Sequence, residues 1–290
     1  MKVLVTGGAG FLGSHVADAY TAAGHDVVLF DRRPSTWRSD GQDEIVADLL
    51  DRDAVHRALE GVDLVFHLAA LADLNDAKGR PLDTVRLNIE GTVGLLEAMR
   101  AQGVGRLLFS STVYVYSREG SFYRCSKQAC EAYIEEYQRR FGIDFTILRY
   151  GSLYGPRADV SNGVYRLLRS AMVDGAITHS GGPDNLREYI HVRDAGRLSV
   201  DAAAADYRNR HLVITGTTAY RAGDLFTMFG EMLGREIDVS YKHTGEGHYS
   251  VTPYAFTPKI GMKLTANPHV DMGQGLLEVM EQLHTEEMSS

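Results

Sequence analysis

Val3-Leu4-Val5-Thr6-Gly7-Gly8-Ala9-Gly10-Phe11-Leu12-Gly13 runs from a short apolar segment into a glycine turn, and Ser14-His15-Val16-Ala17-Asp18-Ala19-Tyr20 continues as a helical pattern. Glycines at positions 7, 10 and 13 allow a tight turn, bring backbone N–H groups against a pyrophosphate and let helix pack closely on strand. The triplet alone recurs in unrelated chains; a strand before it and a helix after it are the context a dinucleotide site requires. Gly7, Gly10, Phe11, Leu12 and Gly13 are therefore candidate cofactor contacts.

Outward from that loop the pattern repeats. Asp26-Val27-Val28-Leu29-Phe30-Asp31 reads as a second strand ending in an acid eighteen residues after Gly13, close to the spacing at which a carboxylate meets the adenosine ribose. Asp31 favours NAD, because a carboxylate repels a 2′-phosphate, whereas Arg32 and Arg33 beside it would attract one, so NADP stays open. Ile45-Val46-Ala47 leads to Asp48-Leu49, and Asp63-Leu64-Val65-Phe66-His67-Leu68-Ala69-Ala70 is a buried strand whose small last residues let a flat ring approach the backbone. A helix near 83–101, a strand at Arg106-Leu107-Leu108-Phe109-Ser110-Ser111, a long helix to about Phe141 and a strand at Phe145-Thr146-Ile147-Leu148 complete the alternation. That alternation predicts an α/β Rossmann-type fold, a doubly wound parallel sheet with helices on both faces and ligands at the carboxyl ends of its strands. After Tyr150, Gly and Pro punctuate a looser pattern. The expected division is a dinucleotide-binding domain over 1–155, with elements near 187–205 returning to it, and a smaller, irregular C-terminal substrate domain over most of 156–290.

A chain of 290 residues with 44% hydrophobic content can bury a sizeable core. Its net charge of −8 leaves no basic footprint, so no nucleic acid is expected and small anions must be held by local arginines. Cys125 and Cys130, the only cysteines, face different ways on one helix and cannot build a disulfide framework; free thiols suit a reducing compartment. No apolar run approaches the roughly 18 residues of a membrane span, and the glycine loop follows Met1 too closely for a signal peptide. A cytoplasmic protein without a membrane partner or a metal is the expectation.

Tyr123-Arg124-Cys125-Ser126-Lys127 carries the chemistry. A separation of four turns a helix by about 400°, so phenol and ammonium project from one face. A phenol titrates near ~10, and a fixed cation beside it favours the phenolate, which makes a tyrosine usable as a base near neutral pH. Tyr-x-x-x-Lys also arises by chance in soluble helices; Thr112, eleven residues earlier at a strand end, and the glycine loop give this pair its weight.

Together these segments resemble the extended short-chain dehydrogenase/reductase family, and within it the nucleotide-sugar epimerase and dehydratase group. The resemblance runs through nearly the whole chain. Its markers are Thr6-Gly7 to Gly13, Asp31, Asp48-Leu49, His67-Leu68-Ala69-Ala70, Asn88 in Leu87-Asn88-Ile89-Glu90-Gly91-Thr92, Ser110-Ser111-Thr112, Tyr123 with Lys127, Tyr154-Gly155-Pro156-Arg157 and Arg187-Glu188-Tyr189-Ile190-His191-Val192. It implies that Asp48 and Leu49 lie by the adenine, Leu68, Ala69 and Ala70 along the nicotinamide, Asn88 near the cofactor, and Lys127 on the nicotinamide ribose as well as beside Tyr123. It implies that Thr112 hydrogen-bonds the substrate oxygen while Tyr123 exchanges its proton and a hydride moves between carbon and nicotinamide. It further implies a homodimer in which the helix near 91–101 and the Tyr123 helix pair with their mates.

In the second half, Arg187 is the candidate grip on the diphosphate of a nucleoside-diphosphate sugar, because a guanidinium offers paired donors to phosphate oxygens; an ion pair with Glu188 or Asp194 is its alternative. Gly163-Val164-Tyr165-Arg166-Leu167-Leu168-Arg169 reads as a helix start, and Gly275-Leu276-Leu277-Glu278-Val279-Met280 as part of an amphipathic closing helix. Gly151-Ser152 stands where many relatives have Phe-Asn, so Ser152 offers the substrate a hydroxyl where an amide is usual. No arginine occurs in Lys242-His243-Thr244-Gly245-Glu246-Gly247-His248, where relatives often place a second diphosphate ligand, and Lys242 or His248 would have to substitute.

Val113 and Tyr114 follow Thr112 where dehydratases of this family carry an acid pair and decarboxylases a glutamate, so an elimination lacks its general acid. The expected reaction is epimerisation by transient oxidation at C4 of the sugar, with net reduction or oxidation of a nucleotide-linked sugar as the alternative. A catalytically idle dinucleotide sensor would commonly lack the tyrosine or lysine, and a steroid-type ketone reductase leaves Arg187 to Val192 unexplained. Residues 117–122 make a shorter connection than relatives carry, without proline, and predict an open mouth over the nicotinamide.

Overall fold

A computed structural model of the protein describes residues 1–242. The closing segment at Gly275 to Met280 and the candidate anion ligand His248 lie outside them. Short apolar runs become strands buried on both faces, as a parallel sheet covered by helices requires. β1 (Lys2–Thr6) is followed by α1 (Phe11–Ala22), β2 (Asp26–Asp31), β3 (Gln42–Val46), α2 (Arg52–Ala58) and β4 (Leu64–His67). Next come α3 (Leu74–Gly79), the single turn α4 (Pro81–Asp83), a π-helical stretch Thr84–Glu90 and α5 (Gly91–Gln102). β5 (Arg106–Thr112), a 3₁₀ turn Val113–Tyr116, α6 (Ser121–Phe141) and β6 (Asp144–Tyr150) complete the first half. The second contains β7 (Ser152–Tyr154), α7 (Gly163–Asp174), β8 (Ala176–Ser180), β9 (Leu186–His191), α8 (Val192–Asp201), β10 (Arg210–Ile214), β11 (Ala219–Arg221), α9 (Ala222–Leu233) and β12 (Asp238–Lys242).

Seven strands form a parallel sheet in the order β10-β6-β5-β4-β1-β2-β3. β1 sits between β2 and β4, with Val5 opposite Leu29 on one side and Phe66 on the other. The strand order reverses there, so the crevice beyond the carboxyl ends of β1 and β4 is where such a sheet binds ligands. This is the Rossmann-type sheet expected.

The last strand to join the sheet, β10, lies beyond the 187–205 stretch expected to return to this domain. From within that stretch α8 packs on α1, and Tyr20 Oη donates to Ser199 O at 3.2 Å across the contact. β9 instead joins β7 and β11 in a separate three-stranded sheet, while β8 and β12 form a two-stranded one.

Side chains alternate across the strands. Leu107 and Phe109 of β5 enter the core with Leu96, Met99 and Ile134, whereas Leu108 enters the opposite core with Val16 and Tyr20 of α1. Each fully buried leucine or phenylalanine contributes about 1.5–3 kcal/mol, so both helical layers are held against the sheet by its own alternation. α6 turns Lys127, Cys130, Glu131, Ile134 and Tyr137 inward at three- and four-residue spacing, which leaves Cys125 exposed and Cys130 buried. Among the described residues no helix is long and apolar enough to cross a membrane.

Candidate active site

β1 stops at Thr6, and the chain then turns where only glycine fits. Gly7 has a φ of 73°, and a Cβ there would stand 2.8 Å from the backbone nitrogen of Ala69; at Gly13 it would stand 2.1 Å from the carbonyl oxygen of Gly7. Gly7 N–H donates to Phe30 O at 2.8 Å and Gly10 N–H to Gly7 O at 3.0 Å, which leaves the start of α1 facing the crevice. Asp31 accepts from Ala9 N at 3.1 Å and Arg33 N at 3.3 Å, so its carboxylate is fixed at the mouth of the turn.

Thr6 ties this turn to β4. Its hydroxyl donates to His67 Nδ1 at 2.6 Å and accepts from the N–H groups of Leu68 at 3.2 Å and Ala69 at 3.3 Å. Thr92 donates to Asn88 O at 2.6 Å and therefore accepts from His67 Nε2 at 3.0 Å, which assigns the imidazole proton to Nε2. Burial, with Lys127 adding to it, pushes His67 down to about 3, so the ring is neutral and serves as a fixed spacer.

β5 and α6 bring Thr112, Tyr123 and Lys127 to the same end of the sheet. Thr112 is buried, and its Oγ1 accepts from Tyr114 N at 3.2 Å. Lys127 Nζ donates to Ser110 O at 2.7 Å and lies 4.5 Å from the Phe109 ring centroid and 5.7 Å from that of Tyr123. The shared helical face is as the spacing predicts, but the electrostatics differ. Burial pushes the Tyr123 phenol up, with Tyr114 and Cys130 adding, and pushes Lys127 down to about 8 against the pull of Cys130 and Glu131. Burial penalises the charged forms of both groups, so a cation four residues away does not by itself give a phenolate.

One cleft of about 630 Å³ joins these parts, and its walls include Gly7, Gly10, Phe11, Leu12, Gly13, Asp31, Arg32, Asp48, Leu49, Leu68, Ala69, Ala70, Thr112, Tyr123, Lys127 and Arg187. Two expected contacts are absent from that wall. Asn88 is buried behind it, with Oδ1 accepting from Leu71 N at 2.7 Å and Nδ2 donating to Ser126 Oγ at 2.8 Å, so its amide is bonded to a residue of the wall and to α6. Ser152 lines an adjoining pocket of about 220 Å³, where its Oγ accepts from Arg187 at 3.3 Å. Arg187 lines both cavities and reaches Tyr114 Oη at 3.4 Å with its other arm. Tyr114, Asp159, Asn162 and Arg166 also line the larger cleft, and none of them was read from the sequence as a site residue.

Behind Thr112 the segment is braced by a buried ion pair. Arg149 meets Glu131 through Nη2 at 2.6 Å and Nε at 3.1 Å, and its Nη1 donates to Tyr116 Oη at 2.6 Å. Glu131 also accepts from Ser111. Glu131→Ala strands a guanidinium whose side chain is only 14% exposed and is expected to lower stability by about 3–5 kcal/mol in denaturant unfolding, with Glu131→Gln milder. A loss below about 1 kcal/mol would show that Arg149 finds water or another partner.

The model of the NAD dependent epimerase/dehydratase family matches residues 3–215. The chain belongs to this family. UDP-glucose 4-epimerase of Mycolicibacterium smegmatis is 30% identical to it over 67% of this chain and 70% of its own. The structure of UDP-glucose 4-epimerase with UDP-glucose from Thermotoga maritima aligns with a TM-score of 0.79 at 28% identity, covering 90% of this chain and 94% of the other. That of the Thermus thermophilus UDP-glucose 4-epimerase complex with NAD gives 0.78 at 27% identity, covering 90% and 95%. The dinucleotide of this epimerase/dehydratase family fits the residues present, because Gly7, Gly10 and Gly13 form a cradle that a Cβ at any of them would crowd.

Proposed function

We propose that the protein is an NAD-dependent epimerase of a nucleoside-diphosphate sugar that oxidises C4 transiently to a keto intermediate and re-reduces it on the other face. The observation that carries this reading is that Thr112, Tyr123 and Lys127 open onto the same cleft as the glycine turn and Arg187. When bound, NAD supplies a hydride acceptor that returns what it takes. The backbone of Gly7, Gly10, Phe11, Leu12 and Gly13 holds the pyrophosphate, Asp31 the adenosine ribose with Arg32 beside it, and Asp48 and Leu49 the adenine. Leu68, Ala69 and Ala70 flank the nicotinamide. The Asp31 carboxylate opposes a 2′-phosphate, which favours NAD over NADP. Tyr123 acts as the phenolate, its own proton given up to solvent: it takes the proton of the C4 hydroxyl and gives it back, Thr112 hydrogen-bonds the same oxygen, and Lys127 holds the nicotinamide ribose. Burial opposes that ionisation, and the positive charge of oxidised NAD, once bound beside Lys127, would favour it. Arg187, with Ser152 beside it, grips the diphosphate. Residues 1–155 carry the dinucleotide in this reading, and most of 156–290 the sugar nucleotide.

The test is to identify any dinucleotide that purifies with the protein and to incubate it with a panel of nucleoside-diphosphate sugars, UDP-glucose first. C4 inversion without net change in nicotinamide absorbance is expected. A stoichiometric absorbance change would make the enzyme a reductase or dehydrogenase instead.

The ammonium of Lys127 is lost as pH rises through about 8. If that charge serves catalysis, kcat of the NAD-loaded enzyme holds below this pH and falls above it; a profile flat to pH ~10 would free Lys127 of the role. Stability runs the other way. The folded state favours the neutral amine, so the unfolded chain binds more protons between about 8 and the ordinary value of 10.5, and this group's contribution to stability rises with pH across that window.

A homodimer is also proposed, supported by exposed Tyr133 and Phe141 on α6 and by Leu82 and Val85 ahead of α5. Light scattering should give twice the chain mass; a monomer at micromolar concentration refutes it.

A further inference from the structure

We propose that Arg157 latches a strap, residues 156–162, over the dinucleotide half of the cleft and thereby slows the release of NAD. The proposal rests on reading the cleft as an NAD site and explains how an epimerase would keep its cofactor between turnovers.

The strap leaves β7 through Gly155 at φ 136° and Arg157 at φ 68°. A left-handed arginine is unfavourable by about 1 kcal/mol or more and persists only where its surroundings over-determine it. They do so here. His15 Nε2 donates to Pro156 O at 3.0 Å. One Arg157 nitrogen pairs with Asp18 of α1 at 2.7 Å, and the guanidinium carbon lies 5.3 Å from the centroid of the Trp37 ring. Asp18 is in turn held by Ser39 Oγ at 2.9 Å and Gln42 Nε2 at 3.1 Å. The Arg157 and Asp18 side chains are only 19% and 30% exposed, so the pair is partly withdrawn from water and less screened by salt than a surface pair.

The latch fastens the strap to α1, to the loop after β2 and to the start of β3, the elements that frame the glycine turn. Beyond it, Asp159, Ser161 and Asn162 line the same cleft as Gly10, Gly13 and Arg33. Asn162 Nδ2 anchors the far end by donating to Leu153 O at 2.8 Å. A dinucleotide lying on the glycine turn would therefore have the strap as part of its enclosure, and would leave once the latch opened. An enzyme that returns a hydride to the molecule it came from has no need to exchange NAD, whereas a reductase must do so every turnover.

The experiment loads the full-length protein with NAD and chases it with a fluorescent etheno-NAD, comparing the wild type with Arg157→Ala, Trp37→Ala and Arg157→Lys. Release about tenfold faster in Arg157→Ala, faster also in Trp37→Ala and partly restored in Arg157→Lys, is expected. Turnover of Arg157→Ala at saturating NAD should stay within about twofold of wild type. Wild-type release rates in folded Arg157→Ala and Trp37→Ala, judged by circular dichroism, overturn the latch; Trp37→Ala carries the test alone should the arginine variant fail to fold. Faster release with no sugar nucleotide inverted by any form leaves the latch standing and removes the epimerase reading. Inversion with unchanged release removes the latch alone.

Discussion

Tyr123→Phe is expected to lower the rate of C4 inversion by about 10³-fold while leaving NAD affinity and the unfolding midpoint nearly unchanged. Three observations set that expectation. The phenol lines the cleft shared by the glycine turn and Thr112, so it is placed to reach a sugar hydroxyl bound there. Phenylalanine keeps the ring and its packing, and loss of one hydroxyl changes stability by only about 1 kcal/mol. Thr112 is the other hydroxyl proposed at the reacting oxygen, yet its Oγ1 already accepts from Tyr114 N at 3.2 Å and, as an alcohol, it is far too weakly acidic to replace a phenol.

Burial favours the uncharged forms of both Tyr123 and Lys127. Two groups of the site therefore titrate out of their ordinary ranges, Lys127 downward and Tyr123 upward, and each can leave its own limb in a pH profile. Removing the phenol should erase the limb that depends on it, a result that a merely structural role would not produce. Turnover within about tenfold of wild type would place the proton on another group and sink the assignment.

How far this was legible in the sequence depends on whether the deciding interaction is local. The glycine turn, Asp31 and the four-residue spacing of Tyr123 and Lys127 are properties of adjacent residues, and the structure brings them into one cleft. The strands at Leu64–His67 and Arg106–Thr112 were readable because burial on both faces demands unbroken apolar runs. β10, Arg210–Ile214, was not, because Arg210, His211 and Val213 are exposed on an edge strand and only pairing with β6 makes it one. Asn88 was expected at the cofactor, but its amide is taken by Leu71 and Ser126, partners 17 and 38 residues away. The phenol's upward shift was missed for the same reason, since the depth at which α6 buries a side chain is set by the sheet beneath it. Arg157 read as part of a motif; its partners Asp18 and Trp37 belong to elements more than a hundred residues earlier.

Gly13→Ala should all but abolish dinucleotide binding, with NAD affinity down by about 100-fold or more, whereas Gly10→Ala should cost about tenfold. The difference comes from what each new methyl meets. At Gly13 it would lie 2.1 Å from the carbonyl oxygen of Gly7 and 2.8 Å from its carbonyl carbon, both backbone atoms. Gly7 cannot give way, because its N–H is bonded to Phe30 O at 2.8 Å and its own Cα faces Ala69, so α1 must move outward instead. α1 is packed on α8, which makes that withdrawal disturb a second helix and lower stability by about 1–3 kcal/mol. At Gly10 the nearest atom is the same Gly7 oxygen but at 3.1 Å, a crowding that a few tenths of an ångström relieve. Titration of each NAD-free variant with NAD, beside its denaturant unfolding curve, separates the two effects. Should Gly13→Ala bind NAD like the wild type while folded, the start of α1 would not be where the pyrophosphate sits, and the cofactor contacts proposed from Gly7 to Gly13 would fall together.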